Sequence, residues 1–152
     1  MPNKIYLSGP DGAGKTTYAE MLAQAGYKIM KWTKPLPGED YYAKAMAQIE
    51  DPTPMVLDRG WVGDLIYAPI FGEDPVITED AAIALLKLFV ERGGQLIYVK
   101  AEPKVLRARI KERGDEFITV RQVDVIFEEY ERWFDTLRMH NIPYTILNTT
   151  YS

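Results

Sequence analysis

One loop constrains this chain more than any other feature. "KIYLS" (Lys4 to Ser8) reads as a buried strand, and "GPDGAGKTT" follows it directly. The spacing Gly9-x-x-x-x-Gly14-Lys15-Thr16 therefore leaves a strand and opens a helix, the setting in which such a loop wraps phosphates. Glycines let backbone N–H groups turn inward onto an anion, and the helix N-terminus adds partial positive charge. Gly9, Gly12, Ala13, Gly14, Lys15, Thr16 and Thr17 form the candidate phosphate-binding set. Lys15 is expected to reach the outer phosphates, and the Thr16 hydroxyl to face a Mg²⁺ ion. The bland alternative is a glycine-rich turn with an exposed lysine.

The rest of the chain alternates short apolar runs with helical periods, which predicts an α/β domain with a parallel sheet. Tyr18, Met21, Leu22 and Ala25 share one helical face, and Gly26 ends that helix. Strands are expected at Tyr27 to Trp32, Met55 to Asp58, Gln95 to Lys100 and Pro143 to Asn148. Helices are expected at Tyr41 to Ile49, in a short segment that Pro69 ends, along the stripe Ala82, Leu85, Leu86, Phe89, Val90, and from Pro103 to about Arg113. Thr119 and Gln122 make a capping box for a last helix whose face is Val123, Ile126, Phe127, Tyr130, Phe134 and Leu137. Five strands with intervening helices predict a single three-layer domain over 1–152.

Composition narrows the function. The chain of 152 residues has a net charge of -4, which argues against a surface built for a nucleic acid polymer. It has no cysteine, so disulfides and thiolate metal sites are excluded and a reducing cytoplasm is the expected compartment. No run approaches the ~20 apolar residues of a membrane span, and no signal peptide is evident.

Two further groups suit phosphate chemistry. Asp58 ends an apolar strand, where ligands of a parallel sheet gather, and can meet the metal held by Thr16; Arg59 stands beside it. Arg107, Arg109, Lys111 and Arg113 follow the fourth strand, with Arg109 and Arg113 on one helix face. Mobile cations of this kind can close over a migrating phosphoryl group, in a lid over about 107–119. A solvated helix face is the alternative, above all for Arg107.

These motifs resemble the thymidylate kinases and the related deoxynucleoside kinases. "GPDGAGKTT" is similar to the thymidylate kinase P-loop. "DRGWVGDLIY" resembles that family's Asp-Arg-Tyr-x-x-Ser-x-x-Ala-Tyr, with Asp58, Arg59 and Tyr67 matching and Gly60 and Gly63 replacing Tyr and Ser. "YVKAEPKVLRARIKERG" resembles the strand and lid-entering helix. Tyr130 and Trp133 stand where deoxynucleoside kinases carry a Tyr or His and a Trp. The resemblance implies a P-loop NTPase fold of the nucleoside monophosphate kinase type, ATP and Mg²⁺ as cofactors, and a small nucleotide acceptor such as dTMP. It implies that Asp11 holds a sugar 3′-hydroxyl, Arg59 the acceptor phosphate and Tyr67 the sugar. Arg109 would lie by the ATP base or phosphates, with Arg113 as lid cation. Lys15, Asp58, Arg59, Arg109 and Arg113 would be the catalytic set. Thymidylate kinases often form homodimers, which carries over as an expectation.

The acceptor stays open between a monophosphate and a nucleoside. A nucleoside 5′-hydroxyl is helped by a carboxylate base, which deoxynucleoside kinases place just after the second strand. Here that place reads Lys31-Trp32-Thr33-Lys34-Pro35. Lys34 would instead clamp an anionic monophosphate, while Glu39, Asp40 or Asp58 could still act as the base. A nucleotide-binding module without turnover is the third reading.

Overall fold

Five parallel strands lie in the order β2-β3-β1-β4-β5 in the computed structural model, which describes residues 2–33, 38–114 and 118–151. They are β1 (Lys4–Ser8), β2 (Lys28–Lys31), β3 (Met55–Asp58), β4 (Gln95–Lys100) and β5 (Thr145–Asn148). The helices are α1 (Lys15–Gln24), α2 (Tyr41–Glu50), α3 (Gly63–Ile70), α4 (Glu79–Glu91), α5 (Pro103–Arg113) and α6 (Val120–Met139). This is the three-layer α/β/α arrangement that the alternating pattern predicts. β1 and β3 are buried at every position because helices cover both faces of the sheet. β2 and β5 form its mostly exposed edges.

Local chemistry sets most helix ends. The Asp40 carboxylate caps α2 by accepting from the Tyr42 and Ala43 N–H groups, and the Thr78 hydroxyl caps α4. Both bonds of the Thr119–Gln122 capping box are present at α6. Pro103 opens α5, and Gly114 closes it with φ 69°.

Three expectations are corrected. Met21 is 61% exposed and Ala25 is also exposed, while Ala19 is buried and Leu22 packs on the core. The loop draws Lys15 inward, so the face through Lys15, Ala19 and Leu22 turns to the sheet. Pro69 lies inside α3 rather than ending it, since in the last turn its missing N–H forfeits one bond only. β5 starts at Thr145 instead of Pro143, because proline has no N–H to give the ladder. On α6, Trp133 joins the buried stripe.

The core runs along both faces of the central strands and is rich in rings. Tyr6 meets Trp61 edge-on at 4.9 Å, and Tyr98 stacks on Phe134 at 4.0 Å. The register places Asp58 opposite Leu7, so the β3 carboxylate stands beside the start of the glycine loop.

Candidate active site

The loop from Gly9 to Gly14 crosses the carboxyl end of the sheet, close over β4. A Cβ on Gly9 would sit 2.0 Å from the Val99 carbonyl oxygen, so nothing larger than glycine passes there. Gly14 is the N-cap of α1 with φ 100°, a left-handed conformation that aims the following N–H groups into the loop. Lys15 is buried, and its ammonium donates to the Gly9 and Pro10 carbonyl oxygens. Burial lowers its pKa to about 8, opposed by Asp11, 3.9 Å away, and helped by Arg59. Lys15 is thus a cation held out of water, which a polyanion would stabilise.

Thr16 and Asp58 meet across α1 and β3. The Thr16 hydroxyl donates to Asp58 Oδ2 at 3.0 Å. This pair fits Mg²⁺: both are hard oxygen donors, and the ion ordinarily takes one or two protein oxygens, with phosphates and water as the rest. Among the described residues no cluster of three or more His, Cys, Asp or Glu offers an all-protein cage.

Asp11 is the hub of the site. Arg59 donates to its Oδ1 at 2.8 Å, and the Asp11 N–H donates to the Tyr67 hydroxyl at 3.1 Å. Tyr67 and the fully buried Tyr130 have ring centroids 6.2 Å apart, and burial pushes both phenols far above their usual range. Arg59 itself has φ 74°, a left-handed conformation unusual for a residue with a side chain.

Arg109 braces the loop from α5. It donates to the Gly12 carbonyl at 3.0 Å, to the Thr149 hydroxyl at 3.0 Å and to the Thr149 carbonyl at 2.6 Å. Thr149 in turn donates its hydroxyl to the Ala13 carbonyl. Sequence reasoning missed Thr149, because a lone threonine after the last strand carries no motif. Arg113 is close enough to Lys15 to lower its pKa. Arg107 pairs with Asp124 at the surface, as a solvated face would. Asp40 is engaged as the α2 cap. Lys34 lies outside the described residues.

Two clefts flank the loop. One, of about 510 Å³, is lined by Trp32, Tyr41, Gly60, Gly63, Asp64, Tyr67 and Tyr130 among others. The second, of about 670 Å³, is lined by Gly12, Gly14, Thr16, Thr17, Tyr18, Met21, Arg109, Arg113 and Thr149 among others. They share three residues: Asp11, Lys15 and Arg59. Gly60 cannot carry the Tyr of the resembled motif, since its Cβ would stand 2.6 Å from the Tyr6 ring. Gly63 has open space where a Cβ would be. No helix among the described residues is long and apolar enough to cross a membrane.

No protein-family model matches the chain. The SPbeta prophage-derived uncharacterized protein YorR of Bacillus subtilis (strain 168) is 26% identical over 140 residues, covering 90% of this chain and 84% of YorR. The crystal structure of YorR in complex with phosphorylated GDP superposes with a TM-score of 0.73 at 24% identity, over 97% of this chain and 85% of that one. Deoxyadenosine kinase from M. mycoides with bound dATP gives a TM-score of 0.62 at 22% identity, over 95% and 90%. The same enzyme with the products dCMP and a flexible dCDP gives 0.57 at 18% identity, over 95% and 88%. The chain has the P-loop fold seen in this nucleoside kinase and in YorR.

Proposed function

We propose that the protein is a phosphotransferase that moves the γ-phosphoryl group of ATP to a small deoxynucleotide acceptor, within one domain. The observation that carries this reading is the junction of the two clefts at Asp11, Lys15 and Arg59. A donor in the larger cleft and an acceptor in the smaller would meet there, with cations on both sides of the transferring group.

The residues then divide the work. Backbone N–H groups from Gly12 to Thr17 and the Lys15 ammonium hold the donor phosphates. Thr16 and Asp58 would hold Mg²⁺, which offsets charge on the phosphate oxygens when bound. Arg109 fixes the loop from the α5 side, and Arg113 would close over the donor as part of a lid at about 107–119, of which 115–117 lie outside the described residues. Arg59 turns from Asp11 to the acceptor phosphate, freeing the carboxylate for the sugar hydroxyl, and Tyr67 packs by the sugar. An acceptor phosphate oxygen forms the new bond to the γ-phosphorus while the bond to the β,γ-bridging oxygen breaks, leaving ADP. Catalysis of this kind is positioning and charge.

A deoxynucleoside monophosphate is the first reading of the acceptor, supported by the cations at the junction. The deoxynucleoside is the second, supported by the likeness to deoxyadenosine kinase; Asp58 would then take the 5′-hydroxyl proton. Thymine has no support in the cleft, where glycine stands at positions 60 and 63. ADP release measured with ATP and each nucleoside and monophosphate in turn tests the proposal. Turnover with a monophosphate supports the first reading, and turnover with nucleosides alone supports the second. Tight ATP binding with no acceptor phosphorylated would reduce the protein to a binding module.

A further inference from the structure

A third cavity, of about 190 Å³, lies at the opposite end of the sheet from the phosphate loop. It sits where β1 begins, between the α2–β3 and α4–β4 connections. The five residues of β1, at about 3.3 Å each, separate it from the loop. Lys4 lines it and is only 5% exposed. Its ammonium donates to the Asp51 and Thr53 carbonyl oxygens, which leaves one of its three N–H donors. Among the described residues no carboxylate pairs with it. The Asp51 carboxylate is turned into its own loop, where Oδ1 accepts from the Thr53 N–H at 2.8 Å. Burial lowers the Lys4 pKa, and the Asp51 charge opposes this only in part. Lys4 is thus a buried cation compensated by carbonyl dipoles alone, where an anion is the ordinary partner.

The rest of the lining narrows what that anion can be. Arg92 holds Glu50 only loosely, at 3.8 Å, with both side chains more than half exposed. Such a pair contributes little and exchanges readily for a better acceptor. Ile49 and Phe89, both buried, give the cavity an apolar floor. Its lining charges are two cations, Lys4 and Arg92, and two carboxylates, Glu50 and Asp51. A dianion such as phosphate would be repelled by both carboxylates and has nothing to set against the floor. A single carboxylate brings one negative charge to the uncompensated ammonium and can carry carbon atoms over Ile49 and Phe89. We propose that this cavity is a binding site for a small monocarboxylate with a short apolar chain. The carboxylate lies between Lys4 and Arg92. The site is separate from the phosphate loop and does not depend on the phosphotransferase reading.

Acetate, propionate, butyrate and inorganic phosphate titrated into the full chain test it, with calorimetry and saturation-transfer NMR on the ligand methyl protons reading affinity. Butyrate is expected to bind more tightly than acetate by about tenfold or more, since each methylene laid on the floor adds about fourfold. Lys4→Met is expected to weaken butyrate by about tenfold or more, the loss of a charge-assisted hydrogen bond. Arg92→Ala, at an exposed position, is expected to weaken it by about threefold. Lys15→Met, which removes the phosphate-loop cation, is expected to leave butyrate affinity unchanged. No butyrate binding at tens of millimolar overturns the proposal, as does phosphate binding as tightly as butyrate. Equal affinity for acetate and butyrate removes the apolar floor from the site and overturns it too. Loss of binding in Lys15→Met would move the carboxylate to the phosphate loop. Where Lys4→Met does not fold, Arg92→Ala decides: butyrate affinity equal to the parent's overturns the proposal.

Discussion

Arg59 Nη2 lies 2.8 Å from Asp11 Oδ1, and the arginine reaches it from a left-handed backbone with φ 74°. A side chain in that region costs about 1–2 kcal/mol, so the turn after β3 favours glycine on stability grounds. An arginine there suits a functional reason. Arg59→Gly and Arg59→Ala are both expected to lower kcat/KM by about 10²–10³, the effect of removing one charge-stabilising donor. The glycine variant should be the more stable of the two by about 1 kcal/mol in urea unfolding, since both lose the ion pair but only alanine keeps the strain. Equal midpoints would show that the backbone at 59 is relaxed.

The depressed pKa of Lys15 would make the proposed nucleotide binding a proton-linked event. The group titrates near 8 in the folded protein and near 10.5 unfolded. The unfolded chain therefore binds more protons between those values, and the Lys15 contribution to stability rises with pH across that window. Lys15→Met lacks this term. Its stability advantage or deficit relative to the parent should shift against the variant as pH climbs from about 8 to 10.5. Phosphates restore the charged form, so ATP binding above pH 8 should take up protons. Calorimetry in buffers of different ionisation enthalpy reads this directly, and an observed enthalpy independent of buffer at pH 9 would refute it. Turnover by Lys15→Met should be absent.

Much of the fold was legible because the sequence states it locally. β1, β3, β4 and α5 begin and end as the apolar runs and Pro103 predict. The parallel sheet follows from strands with no polar alternation. The failures come from tertiary context. Periodicity put Met21 on the inner face, but the anchoring of Lys15 rotates α1 and leaves Met21 outside. Within the candidate site, Lys15, Thr16, Asp58 and Arg59 carry motif spacing, and the fold brings them together. Thr149 and Asp64 carry no such spacing, because each is placed by a partner distant in sequence: Ala13 for one, Val76 for the other. The Asp11–Arg59 pair was likewise hidden, since 48 residues separate its members.

Thr149 is expected to matter as much as a loop residue. Its hydroxyl joins the Ala13 carbonyl and the Arg109 guanidinium, tying β5 to the phosphate loop. Thr149→Val keeps the shape and removes both bonds. Leaving buried partners unsatisfied should destabilise by about 1–3 kcal/mol in urea unfolding. ATP affinity should fall as the loop loosens, whereas Thr149→Ser should restore both. A valine variant with unchanged affinity would show that Arg109 alone holds the loop.

Two glycines three residues apart should respond in opposite ways. At Gly60 an added Cβ would stand 2.6 Å from the Tyr6 ring, which is pinned by the Val62 N–H donating to its hydroxyl at 3.0 Å. Gly60→Ala therefore overpacks a rigid aromatic cluster and should cost about 1–3 kcal/mol. At Gly63 nothing lies within 4 Å of the new carbon, and the residue is the first of α3. Gly63→Ala should stabilise by about 0.4–1 kcal/mol by restricting the unfolded chain. Because Gly63 also lines the cleft proposed for the acceptor, the same methyl should raise acceptor KM while leaving ATP KM unchanged. If Gly63→Ala instead raised the ATP KM alone, the two clefts would have to be exchanged between donor and acceptor.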